Sequence, residues 1–333
     1  MSGKAQASSY HAIDAAKFIM AVFVVAIHTD PLIHCGNRII QTVYGCLLHS
    51  AVPFFFLSTG FLLAKKADDT ACDLRPAIHR HLRKTMKLYT IWHILYLPLA
   101  IHHFYTYDYT VIKSILVTIR AYFLVGKNFN SDILWYLLSS IYALVFVSLL
   151  LKHRLRMSHI VFFGSLVYMF GIFFPYIMSY SVTLPPIPRT FLQLVELAFT
   201  TGRIFAGFFY IPLGMLIARK KPSLILGLTL LIGGFIGNYH LRDISGTVML
   251  AIQSIGTFIT VSCLSLPAAP VYPFLRKSST NLYFLHQWVM FVYCFLTGQL
   301  HRQGPDVFLA TTVVSMLLSG IWLYFRSRSS KKK

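Results

Sequence analysis

Two ionisable residues in the first apolar segment have a spacing that could support chemistry inside a membrane. Lys17 and His28 are eleven residues apart in the stretch 13–31, whose charged side chains lie near its two ends. At about 100° per residue on an α-helix, the two side chains come within about 20° of one another. At about 1.5 Å of rise per residue they are about 16 Å apart along the axis. One helix face would therefore carry a cation near one membrane surface and an imidazole toward the other.

This face has a functional and a structural interpretation. An ionisable residue inside a membrane is costly and by default marks a substrate path or a reactive site. An imidazole suits such a site because it titrates near neutral pH. Alternatively, Lys17 extends to the membrane interface and pairs with Asp14, while His28 forms a hydrogen bond to a neighbouring helix. The spacing is compatible with both interpretations.

A second group of candidate residues lies in the predicted inner loop 65–87, the densest cluster of positive charge in the chain. Arg80 and Arg83 are three residues apart, so they would share one face of a helix. Guanidinium groups bind phosphate in a bidentate manner, and the pair could therefore hold a phosphorylated cytosolic ligand. The alternative is an anchor against anionic lipid headgroups.

The elements that must position these residues are membrane-spanning helices. The 333 residues are 56% hydrophobic and only 12% charged, about half the charged fraction of soluble domains. Apolar runs of about 20 residues alternate with short polar loops, as spanning helices require. The formal charge of +20 is concentrated in the loops, which follows the positive-inside rule and argues against nucleic acid as a partner. We therefore predict an all-α polytopic membrane protein whose partner is the lipid bilayer.

The distribution of Lys and Arg predicts ten spans with both termini cytoplasmic. The run 111–125 is short and carries Lys113 and Arg120. If it does not cross, 21 of the 30 Lys and Arg residues lie on the cytoplasmic side, whereas a crossing would turn thirteen of them outward. Short loops rich in Lys and Arg stay inside, so we predict 111–125 to be one short non-spanning helix, interfacial or re-entrant, on the outer side. The predicted spans cover residues 13–33, 43–64, 88–104, 133–151, 159–179, 203–218, 223–238, 247–266, 280–298 and 307–325.

Three further residues are weaker candidates for substrate contacts. Trp135 opens a span at the outer interface, where an aromatic belt would also place a tryptophan. Arg203 lies at the outer edge of a later span. His286 lies within an apolar helix, where it could face the same cavity as His28 or serve as a hydrogen-bonded packing residue. No group of Cys, His and carboxylate side chains has metal-ligand spacing, so we predict no metal site.

Together these motifs resemble the acyltransferase-3 family of integral membrane acyltransferases, over nearly the whole chain. The resemblance is carried by Lys17 and His28, VPFFFLSTGFLL in the second span, Arg80 and Arg83, LWYL at 134–137, GRIFAGFFYIPLG at 202–214 and LYFLH at 282–286. The segments VVAIHTDPL and VPFFFLSTGFLL are most similar to the membrane domains of vancomycin-resistance-type serine racemases, in which a soluble racemase domain follows. We expect either a standalone member or the membrane part of a longer chain.

The resemblance implies a single transmembrane acyltransferase domain over residues 1–333, with a short basic cytoplasmic tail at 326–333, in a bacterial plasma membrane. It implies an O-acyltransferase that moves an acyl group, commonly acetyl from acetyl-CoA, to a hydroxyl of an extracytoplasmic acceptor such as a cell-surface glycan. His28 would be the catalytic residue, as general base on the acceptor hydroxyl or as transient acyl carrier. Lys17, Arg80 and Arg83 would bind CoA, and Trp135, Arg203 and His286 would contact the acceptor or the oxyanion.

Two observations keep alternatives open. Lys17 stands where many members of the family have arginine, which weakens a bidentate phosphate contact at this position. The similarity to racemase membrane domains is also compatible with a transporter or binding domain for a small amino acid such as serine, without acyl transfer. The same polar helix face would then line a substrate path. A purely structural scaffold is the third possibility.

Overall fold

The regular elements in the described part of the chain are helices. The computed structural model describes residues 10–69, 73–129, 131–179, 185, 189–190, 192–193, 195–196, 202–300 and 302–331, and these residues include no β-strand. The helices are α1 (His11–Thr29), α2 (Arg38–Leu48), α3 (Ala51–Asp69), α4 (Leu74–Thr106), α5 (Val111–Arg120), α6 (Trp135–Lys152), α7 (Met157–Ser179), α8 (Ala206–Lys220), α9 (Leu224–His240), α10 (Asp243–Cys263), α11 (Val271–Leu296) and α12 (Pro305–Lys331). The predicted all-α fold is confirmed for this part of the chain.

Six stretches among the described residues are long and apolar enough to cross a membrane. They are His11–Thr29, Arg38–Ala67, Asp132–Lys152, Met157–Ser179, Asp243–Cys263 and Pro305–Arg326. A chain with several such helices is a multi-pass membrane protein. The predicted basic tail at 326–333 ends outside the described residues, because residues 332 and 333 are not among them.

Two predicted boundaries differ from the structure. The predicted span 43–64 contains a turn at His49 and Ser50, which separates α2 from α3. The stretch 65–87, predicted as a loop, is largely helical, because α3 continues to Asp69 and α4 begins at Leu74. Alanine, leucine, lysine and arginine are good helix formers, so the positive charges of this stretch lie largely on helix ends rather than on an extended loop.

Polar caps fix several helix ends. The Asn37 side chain accepts hydrogen bonds from the backbone N–H groups of Ile39 and Ile40 at the start of α2. The Ser223 hydroxyl accepts from the Leu226 N–H at the start of α9. Each cap satisfies N–H groups that have no partner within the helix. At the other end of α1, Asp30 adopts a left-handed conformation with φ of 35°, which turns the chain away from the helix axis.

The chain divides into two compact units. Unit 1 comprises Met1–Phe55 and Pro222–Lys333, and unit 2 comprises Phe56–Lys221. In unit 1, α1 and α11 lie side by side and run in the same direction. Asp14 Oδ2 lies 3.6 Å from Arg276 Nη1 near their first turns, and the His28 and His286 rings lie 5.3 Å apart further along. This parallel pair places His28 against α11.

Helix α12 packs on α11 in the opposite direction. The Asn281 side-chain amide donates a hydrogen bond to Ser319 Oγ over 3.0 Å. At the other end, the Tyr293 hydroxyl donates to Asp306 Oδ2, also over 3.0 Å. The start of α11 therefore lies beside the end of α12, and the end of α11 beside the start of α12, so the two helices are antiparallel. Three helices, α1, α11 and α12, thus form one bundle within unit 1.

Helices α9 and α10 form an antiparallel hairpin that holds α2. Gly234 lies against Gln253, and Gly256 lies against the backbone of Leu231, so close that a Cβ on either glycine would overlap its neighbour. Gln253 is buried, and its amide nitrogen donates to the Cys46 carbonyl on α2 over 2.8 Å. The hairpin therefore fixes the position of α2 through a buried side-chain amide.

Unit 2 is packed through glycines. A Cβ on Gly60 of α3 would overlap the Ile211 carbonyl, and a Cβ on Gly214 of α8 would overlap the Leu57 carbonyl. Small residues at these positions let two helix backbones touch, as is common where helices associate within a membrane. Gly164 of α7 lies equally close to the Phe208 carbonyl of α8. Helix α8 is thus the central element of this unit.

The segment after α4 is too short to span a membrane. The ten-residue α5 is continued by a five-residue π turn, Ala121–Val125, and together they extend about 22 Å, against about 30 Å for a bilayer core. The Tyr89 hydroxyl donates to the Tyr122 carbonyl over 2.6 Å, and the Tyr142 hydroxyl donates to the Phe123 carbonyl. Tyrosines of α4 and α6 therefore hold the π turn in place.

Candidate active site

His28 lies in the last turn of α1, where its ring faces α11. The ring is half-buried, and its Nδ1 is 3.5 Å from the side-chain nitrogen of Gln287. A carboxamide can present either its oxygen or its nitrogen to an imidazole. With the nitrogen toward the ring, the amide donates to Nδ1 and the ring proton is on Nε2. With the amide flipped, its oxygen accepts from Nδ1–H and the lone pair of Nε2 is available to take a proton. Gln287 is thus placed to orient His28.

His286 is fully buried beside His28. Its Nδ1 lies 3.1 Å from the Leu282 carbonyl, one turn earlier on α11. Its Nε2 is buried and has no hydrogen-bond partner among the described residues. A buried polar atom without a partner is costly, by about 1–3 kcal/mol. That cost is difficult to explain by packing alone, so it marks His286 as a candidate for a functional contact.

The opposite end of the α1–α11 pair carries charge. Asp14 is 7% exposed and forms an ion pair with Arg276. Lys17, one turn after Asp14, interacts electrostatically with both Asp14 and Arg276. Two cations therefore share one buried carboxylate at this end. Lys17 is half-buried there rather than extended into solvent.

A row of polar side chains, all buried except the half-buried Asn281, lies between these two ends. This polar seam consists of Ser278 and Asn281 on α11, and of Thr311, Ser315 and Ser319 on α12. The hydroxyls of Ser278, Thr311 and Ser315 are buried without hydrogen-bond partners among the described residues. Because α12 runs antiparallel to α11 and Ser319 pairs with Asn281, Ser315 and Thr311 follow toward the level of His286. The seam therefore leads from the Asp14–Arg276 pair to the two histidines.

In unit 2, Trp135 and Arg203 come together. The Arg203 guanidinium carbon lies 5.8 Å from the Trp135 ring centre, in cation–π geometry. Phe56 contacts the Trp135 ring, and the two ring centres are 6.1 Å apart. Gly126, with φ of 74°, lies against the Trp135 backbone. A Cβ on Gly126 would lie only 2.5 Å from the Trp135 Cα. Phe56 and the exposed Arg203 therefore both contact the indole. Gly126 contacts the backbone that carries it.

Arg80 and Arg83 lie on the first half of α4, and both side chains are exposed. The helix begins at the cap residue Asp73, whose carboxylate accepts from the Arg75 backbone N–H and pairs with the Arg75 side chain. The backbone N–H of Arg75, followed by its side chain, lowers the pKa of the Asp73 carboxyl. This cap fixes the register of the basic helix end, with Arg80 and Arg83 on one face.

The structure thus groups the predicted site residues within each unit. His28 and His286 meet in unit 1, with Lys17 at the far end of the same helix pair; Trp135 and Arg203 meet in unit 2, where Arg80 and Arg83 lie on α4. The sequence interpretation did not single out Gln287, the Asp14–Arg276 pair across helices, or the polar seam. One signal was available, since Thr311, Ser315 and Ser319 recur every four residues in an apolar helix and so share a face. Among the described residues, no three His, Cys, Asp or Glu side chains are grouped for a metal ion.

Comparison with known families decides the assignment. The family model described as "Acyltransferase domain", of the acyltransferase-3 family, matches residues 10–324. The chain belongs to the acyltransferase-3 family. The resemblance carried by the sequence motifs is therefore confirmed over nearly the whole chain. Family membership and the apolar helices together identify a multi-pass membrane acyltransferase.

Curated relatives are similar to part of this acyltransferase-3 member. An amino-acid racemase of Enterococcus faecalis is 30% identical over 144 residues, which are 40% of this chain and 19% of the relative. A second amino-acid racemase of the same organism is 27% identical over 161 residues, 48% of this chain and 22% of the relative. A serine/alanine racemase of Enterococcus gallinarum is 31% identical over 91 residues, 27% of this chain and 13% of the relative. The aligned part spans about a fifth of the curated relatives. No solved structure matches the chain.

Proposed function

We propose that this acyltransferase-3 member transfers an acyl group, acetyl in the simplest case, from cytosolic acyl-CoA to a hydroxyl of an acceptor outside the cytoplasm. The acceptor would be a cell-surface glycan or a small hydroxyl compound in a bacterial cell envelope, and residues 1–333 would act as one transmembrane domain. The observation that supports this proposal is the group of His28, His286 and Gln287 at one end of the polar seam. A buried polar route between two charged or ionisable ends is what transfer across a membrane requires.

In the proposed reaction His28 Nε2 removes the proton of the acceptor hydroxyl. The hydroxyl oxygen attacks the thioester carbonyl carbon, a C–O bond forms and the C–S bond breaks. The CoA thiolate leaves and takes the proton from the imidazolium, so the products are an ester and free CoA. Gln287 holds the tautomer of His28. His286 donates its Nδ1–H to the Leu282 carbonyl, so its Nε2 lone pair is available to accept a hydrogen bond from another hydroxyl of the acceptor and to position it.

The donor would bind through cations on the cytoplasmic side. Arg80 and Arg83 are exposed on a capped helix end, a geometry that suits the 3′-phosphate and pyrophosphate of CoA. Lys17 would contact the donor from α1, and Trp135 and Arg203 would contact the acceptor. The direction assumes ten spans with both termini cytoplasmic. The parallel α1–α11 pair and the short α5 support that topology, since spans one and nine must run the same way.

Two measurements on purified protein test this function. Calorimetry should show saturable binding of acetyl-CoA that weakens about tenfold or more in the double variant Arg80→Ala, Arg83→Ala, because charge-assisted contacts to phosphate are lost. The variant Lys152→Ala, Arg154→Ala removes an equal charge from another exposed site and should bind normally. In proteoliposomes supplied with labelled acetyl-CoA and a cell-wall glycan hydrolysate, His28→Ala should retain donor binding and lose acetyl transfer about 10²–10⁴-fold.

The outcomes separate the alternatives. Full acetyl transfer by a well-folded His28→Ala protein would show that His28 is not the catalytic base. A labelled acetyl group trapped on His28 would assign the acyl-carrier role instead. Saturable uptake of labelled serine by proteoliposomes, with no binding of acetyl-CoA, would replace acyl transfer by transport.

A further inference from the structure

A two-lobed cleft flanks α2 in unit 1, and no step proposed above uses it. The first lobe has a volume of about 410 Å³ and the second about 420 Å³. Both are lined by Gln41 and Gly45 of α2 and by His49 in the turn that follows it, so the lobes lie on either side of this helix and meet along it. Volumes of this size are typical of small-ligand sites.

The first lobe combines apolar walls with one carboxylate. Asp30 and Tyr44 line it, together with aliphatic residues such as Ile27 and Leu48. Asp30 is half-buried, and no ion pair to it is present among the described residues. The Tyr44 hydroxyl is buried without a hydrogen-bond partner in the same part of the chain. The Asp30 charge acts on that hydroxyl, so the two groups are close together.

The second lobe is lined mainly by polar side chains. Asn238, Arg242, Asp243 and Thr247 line it. The Asn238 amide nitrogen donates to Gln253 Oε1 over 2.9 Å, which leaves the Asn238 oxygen as an acceptor on the other side of the amide. Because Gln253 in turn donates to α2, the buried amide fixes both walls of the lobe. The second lobe thus offers several hydrogen-bond acceptors and a single guanidinium.

The charges of the cleft select a class of ligand. Two carboxylates, Asp30 and Asp243, face one guanidinium, Arg242, so an anionic ligand is disfavoured. An acceptor-rich lining favours a ligand that donates hydrogen bonds. A half-buried carboxylate next to a buried phenol, within apolar walls, is suited to an organic ammonium group. The polar second lobe suits hydroxyl groups.

We propose that the cleft around α2 binds an aminated polyol, with the protonated amine between Asp30 and Tyr44 and the hydroxyls in the second lobe. This inference rests on the proposed function, because it makes the cleft the docking site of the acyl acceptor. Asp30 follows His28 by two residues, and Ile27 precedes it, so the first lobe lies within about one helical turn of the proposed base. The site therefore selects aminated over anionic acceptors.

Binding of three monosaccharides of similar size tests the proposal without any acyl donor. Glucosamine carries a protonated amine, N-acetylglucosamine carries none, and glucuronate carries a carboxylate. By calorimetry or ligand-observed NMR on purified protein, glucosamine should bind best and glucuronate worst. Asp30→Asn should weaken glucosamine about tenfold, the effect of losing a charged hydrogen-bond partner, and should leave N-acetylglucosamine unchanged. Asparagine tolerates the left-handed conformation of Asp30, so the variant removes the charge alone.

Controls separate loss of binding from loss of folding. Asp108→Asn removes an exposed carboxylate in unit 2 and should leave glucosamine binding unchanged. Tyr44→Phe should weaken glucosamine binding several-fold, and it tests the proposal independently if Asp30→Asn misfolds. Glucuronate binding as tight as glucosamine, or glucosamine binding unaffected by both cleft variants, would overturn the proposal. Acetyl-CoA binding and His28-dependent transfer to another acceptor would then still stand. Conversely, glucosamine binding that is weakened by Asp30→Asn, in a protein that does not bind acetyl-CoA, would support the ligand site in the cleft and contradict the proposed acyl transfer.

Discussion

The buried interiors of the two units use different contacts. In unit 1, α1, α11 and α12 enclose His286, Ser278 and Ser315, whose polar atoms have no hydrogen-bond partner among the described residues. In unit 2, α3, α7 and α8 touch through glycines, and the buried hydroxyl of Ser139 is fully used, since it donates to the Ile204 carbonyl and accepts from the Gly207 N–H. Unpaired buried polar groups reduce stability. His93 of unit 2 also has ring nitrogens without partners among the described residues, so unpaired atoms alone do not assign chemistry. We expect chemistry in the unit 1 interior because His286 lies beside His28 there, and we expect the glycine contacts of unit 2 to serve packing.

The largest effect that tests this comparison is expected for His286→Leu. If His286 positions the acceptor through its Nε2 lone pair, kcat for acetyl transfer should fall about 10²-fold. The unfolding temperature should stay the same or rise, because a buried nitrogen without a partner is replaced by an apolar side chain. Kinetics in proteoliposomes and thermal unfolding in detergent measure the two quantities.

His93 provides the matched control for this prediction. It is 7% exposed in unit 2, and both of its ring nitrogens lack partners among the described residues. His93→Leu should therefore leave kcat unchanged while its stability behaves as in His286→Leu. Equal losses of kcat in the two variants would contradict the assignment of chemistry to the unit 1 interior.

The second largest effect is expected for Gly214→Ala in unit 2. The added Cβ would overlap the Leu57 carbonyl, so the helices must separate, at a cost of about 1–3 kcal/mol in unfolding free energy. Gly233→Ala on α9 is the matched control, because nothing lies within 4 Å of that position and alanine favours a helix. Denaturant titrations in detergent should give a lower unfolding free energy for Gly214→Ala and an unchanged or slightly higher one for Gly233→Ala. Equal stability of both would show that glycine contacts do not hold unit 2 together.

Much of the fold and part of the site follow from sequence periodicity. Hydrophobic run lengths predicted the helical class, and the eleven-residue spacing put Lys17 and His28 toward the same neighbouring helix. The motif LYFLH was enough to nominate His286, because an ionisable residue in an apolar helix is rare. Each of these signals is local, so each can be found along a single helix.

Contacts between helices distant in sequence were not predictable in the same way. The Asp14–Arg276 pair joins residues more than 250 positions apart, and charge type alone did not distinguish Arg276 from the other cations of the predicted inner loops. In the sequence, Gln287 is a single polar residue in an apolar helix, and its position beside His28 depends on the contact between α1 and α11. The turn at His49 and Ser50 lies within an apolar run and carries neither glycine nor proline, so composition did not mark the break between α2 and α3. The interpretation of 65–87 as a loop failed because positive charge indicates membrane side and not secondary structure.

The third effect compares one substitution at two buried serines. Ser139→Ala should lower the unfolding free energy by about 1–3 kcal/mol, because the Ile204 carbonyl and the Gly207 N–H both lose their partner. Ser278→Ala on α11 should be neutral or slightly stabilising, since the Ser278 hydroxyl is buried without a partner among the described residues. Parallel denaturant titrations measure the difference. A larger loss for Ser278→Ala would mean that the polar seam supports folding, and the contrast between the interiors would disappear.

The smallest effect concerns the surface of unit 2, where Arg203 covers Trp135. Arg203→Gln should cost about 0.5–1 kcal/mol of unfolding free energy, the value of an exposed cation–π contact. Arg219→Gln, an exposed arginine at the other end of α8, should not. If Arg203 also contacts the acceptor, KM for the acceptor should rise several-fold at constant kcat, because a contact made equally in ground and transition state affects KM alone. A fall in kcat comparable to that of His286→Leu would instead place chemistry in unit 2, and an unchanged KM would restrict Arg203 to packing on the indole.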